Sequence, residues 1–447
     1  MNGGTFTPGV EKIRPGIYFN FQILANERIS TGERGRAALP LVLGWGESKK
    51  MIEINTENDA RNRLGVDITD PTMSLLREAK KRSATVLVYR VNTGEKASAI
   101  VRGGGEESEE QSVTALYGGI KGNDIRIVVA PNVLDETKKD VTTIFDTREV
   151  DKQTVTTFEE LENNQYVEFT GSGEIEDTAG TNLAGGSNGT VANEDYVDFI
   201  GAAESEHFDT IGLPIDEEAL KATFVSFVRR LRDGQGIKVQ GVLPNYPGNY
   251  EGIINVTNAV ALTNRELTVP ETVAWVTGAS AGATLQQSLT FMEYEGAIDV
   301  KPRFDNDQIE QRLQRGEFLF TYNARDKSVT VEQDINSITG TSKLRKNKIV
   351  RILDAINNDI TRSLKESIKN RKNTGQDIPA NADGVQIIQT AVSIYLNELQ
   401  ENNIIQNFDQ SEDVVIELTA AGDGVLVNLG VQPTDSLEKF YFNVTVE

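Results

Sequence analysis

Cysteine is absent and histidine occurs once, at His207. Disulfides and thiolate metal sites are therefore excluded, and no histidine–cysteine set for a zinc-type centre can be drawn from the chain. No cofactor and no metal are expected. No run of about 18 apolar residues exists, so no transmembrane helix is expected. The opening Met1-Asn2-Gly3-Gly4-Thr5 has neither a basic start nor an apolar stretch, so a signal peptide is not expected either. Positive charge is scarce: 45 Lys and Arg stand against 67 Asp and Glu, a formal net charge of −22. A nucleic-acid backbone demands a basic surface, so direct contact with nucleic acid is not expected. The 38% hydrophobic content is enough for a core, and 447 residues imply two to four domains.

The scarce positive charge is concentrated. Between Thr341 and Asn373 ten basic residues stand against three acidic ones, a local surplus of seven. Lys343, Arg345, Lys346, Lys348 and Arg351 open this stretch. They fit either the solvated face of an amphipathic helix or a surface that docks on an acidic partner.

Periodicity divides the chain. Residues 1–25 hold Gly3, Gly4, Pro8, Gly9, Pro15 and Gly16, the punctuation of an extended arm. From residue 26 to 93 the pattern is α/β. Leu39–Trp45 suits a buried strand, Asp70-Pro71 starts a helix, and Thr85–Val91 is a β-branched strand. From 94 to 192 only strand-like pieces occur, as expected of an inserted β-sandwich. The α/β rhythm returns over 193–330. Asp216 is placed to cap a helix through Leu220, Phe224 and Leu231; Ile237–Leu243 and Gly252–Leu262 read as strands, and a helix follows Pro270. Residues 331–432 read as an α+β unit. Its parts are a stripe from Ile349 to Ile368, a second helix from Asp383 through Leu399, and strands Val414–Leu418 and Gly424–Val431. Residues 433–447 form a final arm.

Two stretches invite chemistry. Gly278-Ala279-Ser280-Ala281-Gly282 matches the G-x-S-x-G nucleophile elbow, and a serine hydrolase using Ser280 and His207 is the enzyme alternative. In hydrolases with that turn the histidine follows the serine, whereas His207 precedes it; small residues for close helix packing are the plainer reading. Gly185-Gly186-Ser187-Asn188-Gly189-Thr190 lacks the Gly-Lys-Ser/Thr ending of a phosphate loop and reads as a flexible module boundary. A secreted lattice protein or adhesin would suit the β insertion but calls for a signal peptide.

Both ends alternate. Ile17, Phe19 and Phe21 would share one strand face, with Tyr18 on the other; Phe440, Phe442, Val444 and Val446 would do the same against Tyr441, Asn443 and Thr445. Ends fray unless an edge ties them down, so these strands need an edge in their own chain or in a neighbour's.

Five passages, in order along nearly the whole chain, resemble the sheath protein of contractile phage tails and of tail-like prophage and bacteriocin particles. Arg14-Pro15-Gly16-Ile17-Tyr18 resembles the family's N-terminal start. Leu116–Ile125 resembles its G-x-x-GN motif, and Leu183–Gly189 resembles the return from the insertion, with Asn188 where Asp is frequent. Val331–Thr339 resembles the entry to the C-terminal domain, with Ser337 where Thr is frequent, and Val431–Tyr441 resembles the C-terminal arm. The resemblance implies a non-enzymatic structural subunit. Its fold would be a subtilisin-like α/β domain with an inserted β-sandwich, followed by an α+β C-terminal domain with extended arms. It implies hexameric rings of this chain stacked round a tail tube, with baseplate and tail terminator proteins as further partners. The location implied is the virion tail, reached from the host cytoplasm. On that reading Ile17, Tyr18, Phe19, Phe21, Phe440, Phe442, Val444 and Val446 link subunits, and Lys343, Arg345, Lys346, Lys348 and Arg351 face an acidic tube.

Overall fold

The computed structural model describes residues 29–30, 32–102 and 110–446. They fall into two compact units, residues 32–357 with 435–446 and residues 29–30 with 358–434. The division lies inside the helix Asn347–Asn373. Residues 331–357 lie in the larger of these two compact units.

The larger unit is built on a six-stranded sheet. Its order is Ile253–Val256, Gln240–Pro244, Thr210–Gly212, Arg36–Leu41, Thr85–Arg90 and Met51–Ile54. All neighbours run parallel except Met51–Ile54, which is antiparallel to Thr85–Arg90. The central strands are apolar on both faces, as a sheet covered on both sides requires. Proline is unusual in such a strand because it offers no N–H. Pro40 is tolerated beyond the short ladder to Thr210 and Ile211, which pairs only Ala37 and Ala38. Asp70 accepts a hydrogen bond from the Thr72 N–H (2.8 Å) and starts the turn that leads into helix Ser74–Lys80. Asp216 does not cap the next helix; its carboxylate takes the Lys221 ammonium (2.5 Å), and helix Glu218–Arg229 begins after Glu217.

The stretch Gly252–Leu262 is two strands, not one. Ile253–Val256 ends the parallel sheet, and Ala259–Leu262 pairs antiparallel with Ala297–Lys301. Between them Asn258 is buried and exchanges two hydrogen bonds with the Phe320 backbone (2.8 and 2.9 Å). A hairpin of Phe320–Asn323 and Ser328–Val331 completes this region.

The strands between Lys96 and Asn182 form two antiparallel sheets. One holds Lys96–Arg102, Gln111–Gly118 and Val167–Thr170; the other holds Thr178–Asn182, Ile125–Pro131, Lys139–Phe145 and Arg148–Val155. Alternating residues of both, Val113, Ala115 and Val167 with Ile125, Ile127 and Val141, make one core. Trp45 leaves the parallel sheet and enters this core, edge-on to Tyr117 (5.3 Å) and against Phe145 (5.1 Å).

The glycine-rich motifs meet at this junction. Asn123 exchanges two hydrogen bonds with the Gly186 backbone (2.9 and 2.8 Å), and Asn92 donates to the carbonyls of Leu43 (2.8 Å) and Asn188 (2.9 Å). The fully buried Arg90 donates to the carbonyls of Gly46 (2.5 Å) and Gly118 (2.6 Å), and burial pushes its guanidinium down to about 10. A Cβ on Gly94 would overlap the Ser187 carbonyl. Residues 186–188 thus make a hydrogen-bonded seam rather than a flexible boundary. Glycine is required at positions 94 and 186 because backbones touch there.

In the smaller unit, helix Ala382–Glu401 is capped by Asn381, which accepts from the Asp383 and Gly384 N–H groups. It buries Ile388, Ala391, Val392, Tyr395, Leu396 and Leu399, whereas Ile394 is exposed. Tyr395 donates to Asp359 (2.8 Å). The helix packs on Val414–Leu418, which pairs antiparallel with Val425–Leu429.

Candidate assembly surfaces

The segment after Leu429 is held at two points and then released. In the smaller unit the Gln406 N–H donates to the Gln432 carbonyl and the Thr434 N–H to the Ile404 carbonyl, both at 2.9 Å. In the larger unit Lys346 meets Asp435 (2.8 Å) and Glu438 (3.1 Å), and Lys348 donates to the Ser436 hydroxyl (3.0 Å). Glu438 also accepts from Thr290 (2.8 Å), Ser288 (3.3 Å) and Gln333 (3.3 Å). Residues 439–446 have no regular structure, and their apolar side chains stand in solvent. Phe440 is 65% exposed, Phe442 84%, Val444 83% and Val446 88%. The alternation expected of a strand is present, but among the described residues no strand pairs with it.

An edge of that kind exists elsewhere. The hairpin Val414–Leu418/Val425–Leu429 is a sheet of two strands, and among the described residues neither outer edge is paired. Val415, Leu418 and Leu426 are exposed on it. The N-terminal candidates Ile17, Tyr18, Phe19 and Phe21 lie outside the described residues.

The basic run does not form one outward face. Lys343 is exposed on a short 3-10 turn. Arg345 is half-buried and donates to the Leu313 carbonyl. Burial alone would lower the Lys346 ammonium, but Asp435 and Glu438 outweigh it and raise it. Lys348 is buried and its ammonium is pushed down by that burial. Arg351 is 2% exposed and donates to Asp334 (3.1 Å). The reading of Lys348 and Arg351 as partner-facing residues is therefore corrected. Helical phase put them on a polar face, but that face is covered, by Asp334 over Arg351 and by the segment that holds Ser436 over Lys348. Asp334 also accepts from Asn347 and from the Leu289 N–H, while Ser337 bonds the Tyr250 backbone in both directions. The passage 331–339 is thus a buried polar fastening within the larger unit. Exposed cations do occur further along the same helix, at Lys365, Lys369 and Lys372.

Ser280 is not on an elbow. It lies inside helix Val269–Gly282, which is capped by Thr268 with Glu271, and its buried hydroxyl faces Gln240 (3.4 Å). His207 is exposed, and its carbonyl accepts from Arg36 (2.9 Å). A Cβ on Gly278 would overlap the Ala79 carbonyl, and one on Gly282 the Arg82 carbonyl. The small residues let this helix lie against Ser74–Lys80 and its end, as the packing reading holds. Among the described residues no group of three or more His, Cys, Asp or Glu is placed to hold a metal, and no helix is long and apolar enough to cross a membrane.

Sequence reading missed the Glu438 cluster. Its members lie far apart in the chain, and the only local sign was an acid, Glu438, set three residues after another, Asp435.

Comparison with known proteins adds independent findings. Residues 34–91 match the model of the tail sheath protein Gp18 domain III N-terminal region, and 92–188 that of the phage tail sheath protein β-sandwich domain. Residues 189–337 match the phage tail sheath protein central domain and 339–447 the phage tail sheath C-terminal domain. The chain is 53% identical to the phage-like element PBSX protein XkdK of Bacillus subtilis (strain 168), over the full length of both. It is similar to the crystal structure of the sheath tail protein Lin1278 of Listeria innocua, with a TM-score of 0.84 and 49% identity over 93% of this chain and 96% of that one. The helical sheath of the anti-feeding prophage in its contracted state shares the fold at a TM-score of 0.60 and 11% identity, covering 98% of this chain and 100% of that one.

Proposed function

The chain belongs to the phage tail sheath family, and on that premise we propose that it is the repeating subunit of a contractile sheath whose copies are joined by donated strands. The observation that carries this is the run Phe440, Phe442, Val444, Val446, apolar, alternating and exposed, in a chain whose C-terminal hairpin has, among the described residues, unpaired edges. Adding this run to a hairpin edge of a second copy would satisfy backbone groups of both and cover the apolar face. A donor and an acceptor at different places on one molecule make a head-to-tail contact, which propagates as a helix unless it closes. Residues Ile17, Tyr18, Phe19 and Phe21 would act as a second donor.

Hexameric rings stacked round a tail tube are the arrangement this joint would serve, with baseplate and terminator proteins at the ends and the tail of the particle as its location. The parallel sheet covered by helices supports the subtilisin-like reading of the larger unit. Contraction would be the passage of a kinetically trapped array to one of lower free energy. Donated strands would keep neighbours connected while domains move, and the energy released would drive the tube through a cell envelope. Lys343, Lys365, Lys369 and Lys372 are the candidates for contact with an acidic tube.

A synthetic peptide of residues 439–447 tests the joint. In excess it should occupy the acceptor edge and stop polymer growth, measured by light scattering, while a peptide with Phe442 and Val444 replaced by Asp should not. Growth unaffected by the native peptide contradicts strand donation.

A further inference from the structure

Between two exposed apolar residues of a segment that lacks regular structure, one carboxylate is largely covered. Leu437 is 84% exposed and Phe440 65%, yet the Glu438 side chain between them is 10% exposed. Its carboxylate collects the Thr290, Ser288 and Gln333 donors and the Lys346 ammonium. Lys346 and Lys348 hold the preceding residues Asp435 and Ser436 as well. Charge-assisted bonds to a carboxylate are among the stronger contacts a coil can make. Their partners sit on well-packed structure: Gln333 and Lys346 flank the buried Asp334 fastening, and Thr290 itself accepts from the Asp334 N–H (3.0 Å).

We infer that Glu438 anchors the root of the C-terminal segment to its own subunit, so that the piece given to a second copy begins at Lys439. The inference rests on the strand-donation reading. It adds which residues travel and how far. From Glu438 to Val446 is eight residues, which span at most about 29 Å when extended. The acceptor on the second copy must therefore receive Val446 within that distance of the donor's Glu438. An anchored root also keeps the donor run at high effective concentration beside its acceptor, because the tether is short. Glu438 is thus a positioning residue: it does not touch the partner, and it fixes where the strand leaves.

Trypsin reads the anchor directly, since Lys439 follows Glu438 and a protease must draw residues on both sides of the scissile bond into an extended form. In the full-length chain kept monomeric at low concentration, release of the peptide that begins at Phe440 is followed by mass spectrometry. Glu438→Ala should speed release by about tenfold or more, since the loss of bonds to a charged group opens the root. Lys346→Met should act in the same direction. Circular dichroism melting of both variants should match the parent, which separates root release from unfolding. Equal release from parent and both variants overturns the anchor. The two levels of the reading fail differently. If deletion of 439–447 abolishes polymer while Glu438→Ala polymerises at the parent's concentration, donation stands and the anchor falls. If the deletion polymerises normally, donation itself falls, whatever trypsin shows.

Discussion

Deleting residues 439–447 should leave the subunit folded and remove its ability to polymerise. The two effects can be sized separately. Phe440, Tyr441, Phe442, Val444 and Val446 are between 65% and 88% exposed, so the folded chain loses little contact area with them. Surface changes of this kind stay within about 1 kcal/mol, which for a chain this large shifts Tm by no more than about 4 °C. Between copies the balance differs. Covering Phe440, Phe442, Val444 and Val446 is worth about 1.5–3 kcal/mol each, or about 6–12 kcal/mol gross per joint. Ordering the segment takes back much of this. A surplus of even about 3 kcal/mol raises the concentration needed for assembly more than 100-fold when it is lost. Sedimentation velocity over a concentration series gives that threshold, and calorimetry gives Tm. The cut is placed after Glu438 because residues 432–438 are bonded within the subunit, and an earlier cut would disturb the fold as well. Assembly at the parent's concentration would refute the reasoning, and so would a Tm lowered by 10 °C or more, which would mean that the segment serves its own fold.

Two further outcomes follow from the larger unit. Gly278→Ala should destabilise by about 1–3 kcal/mol or more, because its Cβ meets the Ala79 carbonyl rather than a flexible side chain. Gly201→Ala, in helix Asn193–Ala203 with open space at the Cβ, should instead stabilise by about 0.5–1 kcal/mol. Urea titration of the pair checks both signs. Tyr294 is stacked on Trp275 (4.6 Å) and donates to the buried Glu78 (2.7 Å), and burial first, then the Glu78 charge, holds its phenol well above the ordinary value. The raised folded pKa means that this contribution is complete below the unfolded value of about 10 and is lost as pH rises beyond it. Tyr294→Phe should therefore flatten the fall in stability above pH 10, measured by denaturant midpoints from pH 8 to 11.5; an unchanged slope would show that other groups set it.

Much of the architecture was legible because local pattern and global role coincide. Apolar runs such as Thr85–Val91 announced covered strands, the change of rhythm at Gly94 announced the insertion, and the strand Val414–Leu418 was placed to the residue. What was not legible depended on partners distant in the chain. Arg351 and Lys348 have the phase of a solvated helix face, and partners elsewhere in the chain, Asp334 for Arg351 and Ser436 for Lys348, turn it inward. Asn258 breaks an apolar run that periodicity read as one strand, because it serves the backbone of Phe320. The glycines at 118–119 and 185–189 signalled a boundary, but the bonds of Asn92 and Asn123 that close it have no spacing rule. The C-terminal alternation was legible as a strand in want of an edge, and the structure narrows it to residues beyond Glu438.

The central claim is that copies of this chain build a hollow helical sheath. Electron microscopy of the purified full-length protein, raised in concentration without any partner, tests it most directly. Tubes with a central channel are predicted. Monomers, closed dimers or solid fibrils at every concentration would contradict the account.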